Sequence, residues 1–95
     1  MDSKLRYDYL EGSRIVYKGP CRIDKIIVTP DGANASYADV YDGENTSNPK
    51  VTRLRVPVTQ SILFPFGKDF ILQRGLYVAF GTNLSSVTVI GEPVD

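Results

Sequence analysis

The residues able to do covalent or acid–base chemistry are few in this chain, and they are scattered. It contains no histidine and a single cysteine, Cys21. A thiolate nucleophile needs a neighbouring base or cation, and without histidine the usual nucleophilic and acid–base constellations are missing. Asp24, Asp39 and Asp69 could act as a carboxylate pair only if the fold brought two of them together, because nothing in their spacing requires it. We therefore predict no catalytic residues and no enzymatic activity.

An acidic cluster is the best metal-binding candidate in the sequence. Asp39, Asp42, Glu44 and Asn45 place hard oxygen ligands within one short segment, as a calcium site needs. The cluster lacks the ligand spacing and ligand number of an EF-hand loop, and Asp42-Gly43 is more simply a strand terminator. The glycines stand singly at turns, so no phosphate-binding loop is present either. We predict no metal and no cofactor.

The tyrosines are a further set of candidate binding residues. Tyr37 and Tyr41 fall on one face of an alternating segment, where they could form a stacking platform for sugars or single-stranded nucleic acid. Aromatic residues on strands more often cover a core or a subunit interface. The sequence therefore favours an interface, and glycan contacts by Tyr37 and Tyr41 remain the alternative, with loops 44–50 and 81–86 beside them.

Strands must position these side chains, because no segment shows helical periodicity. Residues 61–89 contain four short apolar runs separated by Gly, Asp and Asn-rich breaks, which is typical of a closing β-sandwich. The last two runs, joined by residues 81–86, are predicted to form a hairpin. We predict an all-β fold: an antiparallel, jelly-roll-like β-sandwich of about eight short strands. The predicted strands are 14–18, 21–29, 36–42, 51–58, 62–66, 70–72, 76–80 and 87–90.

Three of these strands carry positional information. In residues 21–29 the inward face is ambiguous, and the Ile-Ile-Val run predicts burial on both sides. Arg53 and Arg55 alternate with apolar residues, so they should share a solvated face. Pro65 should confine its strand to an edge or a bulge, because proline cannot donate a hydrogen bond to a sheet.

Length and charge limit the domain organisation and the partners. A chain of 95 residues is large enough for one core, which we assign to residues 13–95, with residues 1–12 as an N-terminal arm or edge strand. Eleven basic and eleven acidic residues cancel, so the electrostatic footprint of a nucleic-acid or membrane binder is missing. Near-zero net charge also favours self-association. We expect no secretory signal, because the charged first residues contain no apolar segment.

Four segments give the chain a resemblance to a known family: CRIDKIIVTPDG, ASYADVYDGEN, VTRLRVP and RGLYVAFGTNLSSVTVIGE. Together they resemble the small β-sandwich accessory structural proteins of tailed-phage virions, of the head-decoration or head-fibre type. Tyr41-Asp42-Gly43 holds the place of the family's turn, and residues 75–78 and 87–89 hold the places of its last strands. The resemblance implies a non-enzymatic virion component, made in the host cytoplasm, that docks to capsid or tail proteins. Because such proteins are often trimeric, we expect a homo-oligomer, with a trimer favoured.

Docking of that kind would rest on shape and apolar contact, which makes exposed aromatic and apolar residues the interface candidates. We select Leu5, Tyr7 and Tyr9 in the arm, and Phe64 and Phe66 beside Pro65. The alternative function is a carbohydrate-binding β-sandwich module that acts through Tyr37 and Tyr41.

Overall fold

The computed structural model describes residues 5–94, and these residues form nine strands and no helix. The all-β prediction is confirmed. Within the described part of the chain there is consequently no helix that could cross a membrane. The strands are β1 (Arg6–Leu10), β2 (Arg14–Tyr17), β3 (Cys21–Pro30), β4 (Ser36–Tyr41), β5 (Lys50–Val56), β6 (Ile62–Pro65), β7 (Ile71–Leu72), β8 (Leu76–Phe80) and β9 (Leu84–Pro93).

Two antiparallel sheets pack face to face. The first sheet has the order β1-β9-β3-β6, with the short β7 also paired to β3, and the second has the order β2-β8-β4-β5. This winding, in which the chain passes repeatedly between the two sheets, is that of a jelly roll. The predicted antiparallel, jelly-roll-like sandwich is therefore confirmed, with β1 as one strand more than the eight predicted.

The core lies between the two sheets and is made by inward-facing aliphatic residues. Alternate residues of a strand point to opposite faces of a sheet, so each strand contributes every second side chain to this layer. The largest fully buried side chains are Leu10, Ile23, Ile26, Leu76, Val28, Val40, Val78, Val87, Val89 and Cys21. Branched aliphatic side chains suit this position because they pack well on a pleated surface.

A β-bulge resolves the ambiguous face of β3. The register of β3 against β9 shifts between Ile23 and Lys25, so Ile23 and Ile26 both point into the core although they are an odd number of residues apart. Gly91 lies opposite the bulge, where a Cβ atom would come within 2.4 Å of the Arg22 carbonyl oxygen. The bulge therefore depends on glycine at this position. Ile27 is left on the outer side, half-buried.

The predicted terminal hairpin is wrong. β8 pairs with β2 and β4 in the second sheet, whereas β9 pairs with β1 and β3 in the first. The short link between β8 and β9 crosses from one layer to the other instead of folding back within a sheet. Alternation along a strand shows which face is buried but not which sheet the strand joins, since both sheets bury one face in the same core.

The N-terminal segment forms an edge strand. β1 pairs with β9 from Arg6 to Leu10 without a register shift, and Leu10 is fully buried. Residues 1–4 of the predicted arm lie outside the described residues. Pro65 is likewise at an edge, because β6 pairs with β3 alone, as the sequence predicts.

Candidate functional site

The outer side of the first sheet carries two rows of side chains that run across all four main strands. In one row Tyr7 lies opposite Ile90, which lies opposite Lys25. Directly opposite residues in an antiparallel pair place their side chains on the same face, so each row is a continuous surface. We call this surface the open face; its residues are Tyr7, Ile90, Lys25 and Pro65 in one row and Tyr9, Thr88, Ile27 and Leu63 in the other.

The open face is apolar and exposed. Tyr7 is 72% exposed, Tyr9 is 54% exposed and Leu63 is 50% exposed. Lys25 is the one charged residue among those named, and its Nζ lies 3.2 Å from the Asp24 carboxylate. Contiguous exposed apolar surface of this kind marks a site of protein or ligand contact in monomeric proteins.

Three of the predicted interface residues lie on or beside the open face, and two lie elsewhere. Tyr7 and Tyr9 belong to it, and Leu5, immediately before β1, is 38% exposed. Phe64 and Phe66 instead point inward and pack half-buried against the core. Phe64 lies opposite Ile26, and Phe66 contacts the ring of Phe70 at 4.9 Å between centroids.

Leu63 is an exposed apolar residue of the open face that the sequence did not single out. The apolar run from Ile62 to Phe66 has large side chains on both faces of the strand, and the face with the two phenylalanines was predicted to contact another protein. A signal for the other face was present, because Leu63 and Pro65 lie on the same face and proline is tolerated on an edge strand. In the structure this second face points outward.

The outer side of the second sheet is built differently, because its polar side chains bind one another. Asp39 lies at its centre, opposite Arg53 on β5 and Ala79 on β8. The Nε atom of Arg53 donates to Oδ1 of Asp39 at 2.7 Å, and its Nη2 donates to Oδ2 at 3.0 Å. The Nζ of Lys50 donates to Oδ2 at 3.3 Å. We call this surface the paired face; its residues are Tyr37, Asp39, Tyr41, Lys50, Arg53 and Tyr77.

The two tyrosines predicted as glycan contacts share this face, as the sequence predicts, but their rings are already engaged. The guanidinium of Arg53 lies 3.9 Å from the ring centroid of Tyr37. On the β8 side, Gly81 lies so close to that ring that a Cβ atom would approach it to 2.7 Å. Tyr41 is 9% exposed, and its ring contacts Tyr77 at 6.3 Å and the Lys50 ammonium at 5.6 Å between centres. Neither ring offers a free platform for a sugar.

Asp39 is the most strongly held charge on the paired face. The residue is only 6% exposed. Burial by itself would raise the pKa of its carboxyl group, but the hydrogen bonds from Arg53 and Lys50 outweigh burial and hold the pKa below its ordinary value. The ionised carboxylate is therefore the form that the fold stabilises.

The remaining chemical candidates do not converge. Asp39 points out of the second sheet, whereas Asp24 belongs to β3 of the first and is bound by Arg22 and Lys25. Burial raises the pKa of the Cys21 thiol to about 12, so it stays protonated at neutral pH. No three of the His, Cys, Asp and Glu side chains in residues 5–94 are grouped to hold a metal ion.

A polar cleft lies at the end of the second sheet, beside loop 44–50. It has a volume of about 280 Å³ and is lined by Gly43, Glu44, Asn45, Asn48 and Arg74. Its walls are fixed by hydrogen bonds, since Oδ1 of Asn48 accepts from the backbone N–H of Glu44 at 3.0 Å. Asp42 accepts from the backbone N–H of Arg74 at 2.9 Å. The cleft offers amide, carboxylate and guanidinium groups to a small polar ligand.

Comparison of the chain with protein-family models, curated proteins and solved structures finds no match.

Proposed function

We propose that this chain is a non-enzymatic accessory structural protein of a phage virion, which self-assembles and docks to capsid or tail proteins through its first sheet. The open face is the observation that carries the proposal. A surface with Tyr7, Tyr9 and Leu63 all about half exposed or more is costly to leave in water. Covering it with another protein removes that cost.

The shape of the molecule suits a docking role. Its principal extents are 41 × 30 × 18 Å, so one dimension is much shorter than the other two. The broadest side of the molecule measures 41 × 30 Å. A standard protein interface buries about 800 Å² per partner, which fits within such a side. A tile-like domain of this form can lie flat on a larger particle.

Charge supports a protein partner over a nucleic acid or a membrane. The chain has a formal net charge of zero, and the open face contains one cation beside an anion. A polyanionic surface gains nothing from such a face, whereas an apolar protein surface gains from its burial. Neutral copies of the chain also do not repel one another at long range.

The virion assignment draws on the sequence segments that resemble phage accessory proteins, and the fold agrees with it at the level of architecture. Jelly rolls are used by viral capsid proteins and also by lectins. Since one fold hosts many functions, the choice between these two uses is based on the open face rather than on the fold.

Two measurements test this proposal. Light scattering of the purified chain is expected to show an oligomer at high concentration, and a strict monomer would argue against self-assembly. Mass spectrometry of virions purified from the source is expected to detect the chain. Leu63→Lys, which charges the open face, should reduce its incorporation, whereas Val58→Lys, at an exposed apolar residue outside that face, should not. Equal incorporation of both variants would exclude the open face as the docking surface.

Carbohydrate binding is the second candidate function, and the polar cleft is the observation that favours it. Its lining residues can exchange hydrogen bonds with sugar hydroxyls. A glycan array with Arg74→Ala as the cleft variant, and with Tyr37→Ala and Tyr41→Ala as the ring variants, separates the possibilities. Binding lost only in Arg74→Ala would place the sugar in the cleft. No signal for the wild-type chain would leave the structural role standing.

A further inference from the structure

The two sheets have four edges, and three of them carry features that prevent pairing with another strand. β2 has a register shift between Ile15 and Tyr17. β5 has a register shift where Tyr41 meets Lys50, and it presents the exposed Arg53 and Arg55. The edge opposite β1 is split between β6 and β7, and β6 ends in proline. Bulges, charges, prolines and short strands are the devices by which proteins protect their edges.

β1 is the exception. Its register against β9 is unbroken from Arg6 to Leu10. The strand contains no proline and no glycine, and its outward side chains are Tyr7 and Tyr9. Its two charges neutralise each other, since Nε of Arg6 lies 3.1 Å from Oδ2 of Asp8. A regular, neutral edge strand of this kind is a template for a further strand.

From this edge we infer that two copies of the chain pair β1 against β1 in antiparallel register about a two-fold axis at Tyr7, joining their first sheets into one continuous sheet. The inference rests on the proposed self-assembly and specifies its geometry. The occupant is a second copy because β1 is complementary to itself. A two-fold interface is formed by the same surface on both copies. If one residue of the first copy contacts a second residue of the other copy, the reciprocal contact also forms, so the surface must be complementary to itself.

Charge selects the register. Directly opposite residues in an antiparallel pair have their side chains on the same face of the sheet. An axis between two residues would place side chains of different faces opposite each other, so the two-fold axis must pass through a residue. An axis at Tyr7 places each Arg6 opposite the Asp8 of the other copy, which gives two opposite-charge pairs. An axis at Asp8 places the two Asp8 carboxylates opposite each other. An axis at Arg6 places the two Arg6 guanidinium groups opposite each other. Like charges directly opposite destabilise a sheet, so the register centred on Tyr7 is preferred.

The outer side of the paired strands follows from this register. Tyr7 lies opposite Tyr7 of the other copy, with the two Tyr9 side chains on either side of them. The two open faces become one surface, and Leu63 and Pro65 at its far ends stay available to a larger partner. The contact between two five-residue strands is small. We therefore expect a weak dimer that is strengthened when copies are held close together on a particle.

Cysteine cross-linking tests the register. Opposite Cα atoms in an antiparallel pair lie about 5 Å apart, which is within disulfide range, so Tyr7→Cys should form a covalent dimer on mild oxidation. Tyr9→Cys is the matched control, because its two copies would be offset by four residues and lie about 14 Å apart. The native Cys21 is fully buried, so the wild-type chain should not cross-link. Cross-linking of Tyr9→Cys as fast as Tyr7→Cys would overturn the register.

A charge exchange provides an independent test. Asp8→Arg places arginines opposite one another and should weaken dimerisation by about tenfold or more, measured by sedimentation equilibrium. The double variant Arg6→Asp with Asp8→Arg restores both opposite-charge pairs and should recover the wild-type affinity. Circular dichroism checks that each variant is folded.

The outcomes separate this inference from the proposed function. If the chain self-associates but the double variant does not restore the affinity, the β1 pairing is wrong and self-assembly still stands. The same holds if the self-associated species has the mass of a trimer, as the phage resemblance implies. A monomer at millimolar concentration would overturn both.

Discussion

The two outer faces of this sandwich are built from similar strands but differ in what their side chains bind. On the paired face, Arg53 and Lys50 close over Asp39, and the guanidinium of Arg53 also covers Tyr37. On the open face, Tyr7, Tyr9 and Leu63 project into solvent. Tyr37, Asp39 and Tyr41 of the second sheet therefore bind side chains of their own sheet, whereas Tyr7, Tyr9 and Leu63 of the first sheet remain exposed.

This difference shows that aromatic content alone does not identify a binding surface. Both faces carry tyrosines, and those of the paired face first suggest a sugar platform. Their rings are covered by cations and, for Tyr37, approached by Gly81. Tyr7 and Tyr9 of the open face are instead 72% and 54% exposed.

The largest expected effect concerns the stability of the paired face. Asp39→Ala removes a carboxylate that accepts hydrogen bonds from two cations, so it should lower the free energy of unfolding by about 2 kcal/mol. For a domain of this size, that is a decrease in Tm of about 10 °C. Asp69→Ala, at an exposed carboxylate in a turn, should change the stability by less than about 0.5 kcal/mol. Equal effects in a urea titration would remove the distinction between the two aspartates.

The next effect concerns association through the first sheet. Tyr9→Lys introduces a charge into the open face and should weaken self-association by about tenfold, which is about 1.4 kcal/mol. Val58→Lys is the control, since Val58 is 39% exposed and lies outside both faces. Sedimentation equilibrium measures both variants. If Val58→Lys weakened association as much as Tyr9→Lys, general charge rather than the open face would be responsible.

The smallest effect is the pH dependence of Asp39. Its pKa in the folded state is lower than in the unfolded chain, so its contribution to stability is present above its ordinary pKa of 3.8 and is lost as the pH falls through the folded value. Asp39→Asn lacks this contribution. The stability gap between the wild type and Asp39→Asn, about 1 kcal/mol at pH 7, should narrow below pH 3.8. A gap that stays constant down to pH 2 would show that Asp39 contributes through packing instead.

The sequence predicts which face of a strand a residue occupies better than it predicts which residue of the neighbouring strand lies opposite. Alternation correctly places Tyr37 and Tyr41 on one outer face, and Pro65 correctly marks an edge. The bulge at Asp24 is not visible as a pattern, because a register shift depends on the partner strand that carries Gly91. The pairing of Asp39 with Arg53 likewise requires the β4–β5 register.

The sequence also does not predict which of the two sheets each strand joins. β8 and β9 have the pattern of a hairpin, yet they belong to different layers. The open face depends on that assignment, because β9 supplies Thr88 and Ile90 to its centre. A candidate surface made of four strands distant in sequence can be recognised only once the strand order is known.

A nuclear magnetic resonance dilution series tests the central claim most directly, which is that the first sheet contacts other chains and the second does not. Backbone amide signals of Tyr7, Tyr9 and Ile90 should shift as the concentration rises from micromolar to millimolar, while those of Asp39 and Ala79 on the outer side of the second sheet stay constant. Shifts confined to the second sheet, or no shifts at any concentration, would contradict the account.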